Sequence, residues 1–342
     1  MNLINIYKIG LIICIMLSLT QMSCARKIAN VYPLDKSYYN DAKLKADLKE
    51  LSRINPESFK LHTIGTTIAG ENPIYALQIQ TDIDRTPVLI IGQHHGDEVM
   101  GLEIAMAFAK YLSENPGDAK VRDLLDAYAF WIIPTLNPDG WKIVTSGKYE
   151  WKRKNNTDTN NNRKLDIKTD GVDLNRNYPT FWSLDKSLPE MSPFYKGIAP
   201  ASEAETRAVM EIAELVSFKY VFSYHTSASG TYSEKIYLPW QDMKDKKTKD
   251  DFTAMRDIAK TYASAVPKDY APGTYAVHPG NTSRIGNARN YFYYEWGTYS
   301  YDIEVCGANK LGVGTVHPAG TKRHEIVQKN LQALVRTLLI FK

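Results

Sequence analysis

The chain has 342 residues, 44% of them hydrophobic and 23% charged, with a formal net charge of +4. That size is enough to bury one large core, and the length alone allows one or two domains. Charge this mild, without a basic block beyond short runs, excludes the footprint of a nucleic-acid binder.

Taken in chain order, the first segment reads as a leader. Met1–Lys8 holds one lysine, Ile9–Leu19 is an apolar run of signal-peptide length, and small residues follow at Ser23, Cys24 and Ala25. The run is short for a membrane span. Two processing routes fit: cleavage after Ala25, leaving residues 26–342 as one catalytic body, or lipidation of Cys24 behind a loose lipobox, Gln21-Met22-Ser23. Either implies export to the periplasm or the exterior, with membrane attachment only through a lipid at Cys24. Cys306 is then the one cysteine of the body, so no intramolecular disulfide holds it and the core must.

Val88–Ile91 is a continuous apolar run and reads as a buried strand; Val99–Leu112 follows with helical spacing. Tyr128–Leu136 and Tyr220–Tyr224 read as further buried strands. Between them, Ser202-Glu203-Ala204-Glu205 has the form of a capping box opening a helix to about Val216. Tyr299–Val305 is another strand, and an amphipathic helix occupies about His324–Ile340. Strands separated by helices predict a single-domain α/β/α sandwich around a mixed, mainly parallel twisted sheet. In such sheets functional groups gather at the strand C-terminal ends. His95 and Glu98 follow the first strand, Asn137 the second, and His225 closes the third.

His95-x-x-Glu98 can aim an imidazole and a carboxylate at one cation from a tight turn. A third ligand from a distant loop, for which His225 is the natural candidate, leaves a fourth position for water, as catalytic zinc requires. His94 has only Asp97 three residues on and reads as a packing or supporting residue. Asn175 and Arg176 stand side by side: the guanidinium is a fork for a carboxylate, and the amide adds a neutral donor. Asp158–Asp166 alternates oxygen ligands in the style of a calcium loop, but Arg163 occupies the place of the expected glycine, so a plain hydrophilic loop is the preferred reading over Ca2+.

In order, His95-x-x-Glu98, Asn137-Pro138-Asp139-Gly140, Arg153-Lys154-Asn155, Gly171-Val172-Asp173-x-Asn175-Arg176-Asn177, Ser202-Glu203-x-Glu205, His225 and Glu304 resemble the zinc metallocarboxypeptidase family (funnelins, carboxypeptidase A-like) from about Tyr38 to the C-terminus. The resemblance implies one Zn2+ on His95, Glu98 and His225, with Asp173 bonded to the remote nitrogen of His95. It implies that Asn175 and Arg176 hold a substrate's terminal carboxylate, that Arg153 stabilises an oxyanion, and that Glu304 is the general base. Asp302, on the same strand face, is the competing carboxylate. The family's mobile substrate-binding tyrosine matches Tyr275 best, with Tyr291 as the alternative, and Arg284 or Arg289 could line a specificity pocket and prefer an acidic terminal residue, the other reading being an exposed loop arginine. No family-style propeptide is expected.

The function so implied is a zinc-dependent exopeptidase acting on peptides with a free C-terminal carboxylate. The alternatives within the fold are a carboxypeptidase or amidase trimming peptidoglycan stem peptides and an N-acyl amino acid deacylase. Outside enzymes, a non-catalytic peptide-binding protein is the competing class.

Overall fold

Four central strands set the architecture. The computed structural model describes residues 34–80, 82, 84–241, 246–280, 285–309, 312 and 314–342; the leader, Cys24 and Arg284 lie outside them. Strands β1 (Phe59–Thr66), β2 (Pro73–Ile79), β3 (Thr86–Ile91), β4 (Tyr128–Ile133), β5 (Tyr220–Thr226), β6 (Lys235–Trp240), β7 (Ala276–Gly280) and β8 (Tyr299–Val305) form one sheet in the order β1-β2-β4-β3-β5-β8-β6-β7. The central β4, β3, β5 and β8 run parallel, so their C-terminal ends share one edge. β1 and β2 join as an antiparallel pair, and β6 lies antiparallel to β8. The expected mixed α/β sandwich is what forms.

The helices are α1 (Asp41–Ile54), α2 (Met100–Glu114), α3 (Ala119–Ala127), α4 (Pro138–Thr145), α5 (Ala204–Leu215), α6 (Lys246–Ser264), α7 (Ala288–Trp296) and α8 (Gly320–Ile340). Period-two alternation divides the apolar strand residues between two cores. Val88 and Ile90 of β3 join one core with α2 and α8, whereas Leu89 and Ile91 join the other with α5 and α7. Fully buried strands therefore read as continuous apolar runs.

Two local expectations change. The strand predicted to Leu136 ends at Ile133, where Pro134 removes a ladder donor. The predicted capping box does not close: Glu203 is the N-cap of α5 without a side-chain cap bond. Ser202 Oγ instead donates to Glu203 (2.7 Å) and accepts from Asn177 Nδ2 (2.9 Å), while Glu205 accepts from Asn155 Nδ2 (3.2 Å). A buried polar network takes the groups that the helix end would have used.

Candidate active site

β5 and β8 pair in register, with Ser223 opposite Asp302 and His225 opposite Glu304. Directly opposed residues share a sheet face. This face is apolar lower down, at Val221, and turns polar toward the strand ends at Ser223, His225, Asp302 and Glu304. Tyr224 and Ile303 point into the other core.

β3 delivers the second half of the site. Beyond Gly92 the chain turns, and Glu98 N bonds His95 O (3.1 Å) to hold the tight His-x-x-Glu loop. His95 Nδ1 and His225 Nδ1 each lie 2.9 Å from Glu98 Oε2 and 3.3 Å from one another. All three residues are buried, and among the described residues they are the one group of three or more His, Cys, Asp or Glu able to hold a metal. Donors about 2.0–2.1 Å from a tetrahedral zinc lie about 3.3 Å apart, so this donor set fits the ion.

The remote nitrogens have partners that keep Nδ1 free. His95 Nε2 donates to Asp173 Oδ1 (2.9 Å), and His225 Nε2 lies 3.2 Å from Ser223 Oγ. Ser223 Oγ also meets His94 Nδ1 (3.1 Å), and His94 Nε2 meets Tyr178 Oη (3.0 Å). Burial, with His225 and His95 alongside, holds His94 well below the usual histidine range, so it supports the site as a neutral ring. Burial and then Arg153 oppose a proton on His95, yet Glu98 and Asp173 outweigh them and push its pKa up to about 9. A metal ion would compete with that proton.

Arg153 binds both acids: Nη2 and Nε reach Asp173 Oδ2 (2.9 and 3.1 Å), and Nη1 reaches Glu98 Oε1 (2.8 Å). Its segment is pinned on either side. Lys152 Nζ donates to Asp170 O (2.9 Å), Lys154 Nζ to Thr169 O (2.6 Å), and Asn137 Nδ2 spans His94 O (3.2 Å) and Arg153 O (3.1 Å). Asn137 caps α4 as well, through Gly140 N (2.9 Å). Its role as a clamp between two loops was missed in the sequence; its place between the end of β4 and the start of α4 was the signal.

These groups border a cleft of about 630 Å³, lined among others by Glu98, Arg153, Arg176, Tyr237, Arg289 and Glu304. Glu304 Oε2 is buried without a hydrogen-bond partner. Burial, with Glu98 and Asp302 nearby, pushes its pKa up to about 8; a dication among the donors would draw it down again.

Two expected contacts are not part of this geometry. Tyr275 does not line the cleft: its side chain is 4% exposed and packs in the core beneath Lys329. The alternative, Tyr291, packs in the other core against Tyr178. Tyr149, Tyr232 and Tyr237 line the cleft instead, the last of these from β6, where the antiparallel register sets it opposite Asp302. Asn175 is buried and turned inward, with Nδ2 near His225 Nε2 (3.2 Å) and Asp302 Oδ2 (3.4 Å), and Oδ1 accepting from Ala288 N (2.9 Å). It supports His225 and the start of α7, whereas its neighbour Arg176 borders the cleft.

A family model described as zinc carboxypeptidase matches residues 44–331. Carboxypeptidase B of Bos taurus is 24% identical over 286 residues, 81% of this chain and 65% of that protein. Carboxypeptidase E of Caenorhabditis elegans is 32% identical over 161 residues, 45% of this chain and 32% of its own length. The chain thus spans 65% and 32% of the length of these two curated relatives. Among solved structures, bovine thrombin-activatable fibrinolysis inhibitor in complex with tick carboxypeptidase inhibitor superimposes with a TM-score of 0.72 at 20% identity, covering 89% of this chain and 98% of that one; at such identity the likeness concerns the fold.

Proposed function

The chain belongs to the zinc carboxypeptidase family, and we propose that it is a zinc-dependent exopeptidase that hydrolyses the C-terminal peptide bond of peptides with a free carboxylate. One observation carries the reading: three buried metal-ligating atoms converge beside an unpartnered carboxylate, Glu304, in a cleft that Arg153 and Arg176 also border. His95, Glu98 and His225 would hold the zinc. The bound ion supplies Lewis acidity and lowers the pKa of water. Glu304 takes the proton of the attacking water and passes it to the leaving amine. Arg153, anchored on Asp173 and Glu98, offers its remaining N–H groups to the developing oxyanion. Arg176 forks onto the terminal carboxylate, which confines cleavage to the chain end.

The family match favours this reading over the deacylase and cell-wall alternatives. The apolar run over residues 9–19 supports export, by cleavage after Ala25 or lipidation of Cys24, and residues 26–342 are read as the catalytic body. No helix of the described residues is long and apolar enough to cross a membrane.

The test is a digest of a mixed peptide pool, half free acids and half C-terminal amides, read by mass spectrometry. Single residues should leave the free acids alone, cease with a chelator and resume with added zinc. Equal loss from the amides, or activity indifferent to chelator, would refute the proposal.

A further inference from the structure

Arg289 stands in the first turn of α7 with a side chain 11% exposed, and it borders the cleft together with Arg176 and Glu304. Its guanidinium is held in a fixed pose. Nε donates to Leu238 O at 3.1 Å, Nη1 pairs with Asp302 Oδ2, and the group lies 5.7 Å from the centre of the Tyr237 ring. Asp302 is buried behind it and does not border the cleft. Nη2 has no partner among the described residues.

From this placement we infer that Arg289 makes the cleft select substrates whose C-terminal residue carries a side-chain carboxylate, aspartate or glutamate. The inference rests on the carboxypeptidase reading and assigns that same site its substrate class. A guanidinium is donor-only and planar, so the free edge presented to a terminal side chain matches a carboxylate. Because Asp302 already balances its charge, selection acts through short-range hydrogen bonds rather than a long-range field. A terminal glutamine therefore binds less well than glutamate, its neutral oxygen accepting a weaker bond. A terminal leucine leaves the donor unsatisfied on burial. A terminal lysine opposes donor to donor and buries an unpaired ammonium. Of the acids that also border the cleft, Asp97 and Glu98 belong to the end where the metal-ligating atoms meet, Glu98 contacting His225 and Asp97 preceding it, whereas Glu304 lies between that end and the Tyr237 ring. Arg289 is the guanidinium over the Tyr237 ring, so a terminal side chain that reaches this ring meets a donor.

Four zinc-loaded assays on one peptide differing only in its last residue, Glu, Gln, Leu or Lys, test this. Glu should exceed Leu by roughly ten- to hundredfold in kcat/KM, mainly through KM, with Lys lowest. Arg289→Gln should collapse the Glu-to-Leu ratio by a similar factor. Since that variant strands Asp302 without its cation, the double variant Arg289→Gln, Asp302→Asn is assayed beside it and should show the same collapse; a ratio within each variant cancels any general loss of folded enzyme. Equal rates for Glu and Leu, a preference for Lys, or an unchanged ratio in both variants overturns the selection while leaving the peptidase reading intact. If none of the four peptides is cut, the peptidase reading falls and the selection with it.

Discussion

Glu304 and His225 owe their proximity to one register. Each is its strand's polar residue near the C-terminal end, and pairing of β5 with β8 sets them on the same face. Because Glu304 Oε2 has no partner, its loss removes no structural bond. Glu304→Gln should therefore keep a full complement of zinc by metal analysis while kcat falls by roughly 10²–10⁴-fold, the range of a lost general base. Undiminished turnover would place the base elsewhere. At this scale the sequence was most legible where a motif is local. His95 and Glu98 are three residues apart, and the loop that joins them closes with its own backbone bond. Asn175 is turned inward while its neighbour Arg176 borders the cleft; a short 3-10 turn over Leu174–Arg176 rotates adjacent side chains apart, and nothing in the dipeptide says which one turns inward.

Elements meet closely where the site needs them to. A methyl group added to Gly101, in the first turn of α2, would lie 1.6 Å from Gly92 O at the exit of β3 and 2.8 Å from Tyr224 Cβ. The helix can follow the His-x-x-Glu loop only because its backbone is bare at that point. Gly101→Ala should destabilise the protein by at least about 1–3 kcal/mol, the range of core overpacking, measurable as a lower denaturation midpoint, and should weaken zinc retention through the displaced loop. Wild-type stability would show that α2 shifts without cost. Elements with strong patterns were legible: β3, β5 and β8 as apolar runs, α2 and α8 by helical spacing. The edge strands β1 and β7 were not, because one or both of their faces meet solvent and their half-buried residues break the apolar pattern.

Across the whole molecule, buried acids link the loops to α5. Glu205 accepts from Asn155, whose Oδ1 takes the backbone N–H of Val172 (2.8 Å), so the network ties the Arg153 segment to the segment carrying Asp173 and Arg176. Burial, chiefly, and the nearby Glu203 push the Glu205 carboxyl from its ordinary 4.5 up to about 8. The folded state holds that proton more tightly than the unfolded chain. The contribution to stability is thus whole below about pH 4.5 and is lost as pH rises through about 8. Glu205→Gln imitates the protonated form and should flatten the fall in Tm between about pH 5 and pH 9, with a gain on the order of a few kcal/mol at the alkaline end. Parallel Tm curves for wild type and variant would show that Glu205 is not the titrating group.

The amino-acid sequence by itself determined the α/β class, the central strands with the helices α2, α5 and α8, and the set of side chains able to hold a metal. Each follows from short-range pattern: apolar period, strand ends, and donor types at fixed spacing. Tertiary structure alone decided which tyrosines face the cleft, that Arg289 leans on Asp302, and that Ser202 and Glu205 leave their helix end for Asn177 and Asn155. Those outcomes depend on the register of β6 on β8 and on the seating of α5 and α7 against the sheet. Such pairings join residues up to more than a hundred positions apart, as Asn175 and Ala288 are. Their energies come from burial and from satisfying buried polar groups, and both are settled only when the whole chain has packed.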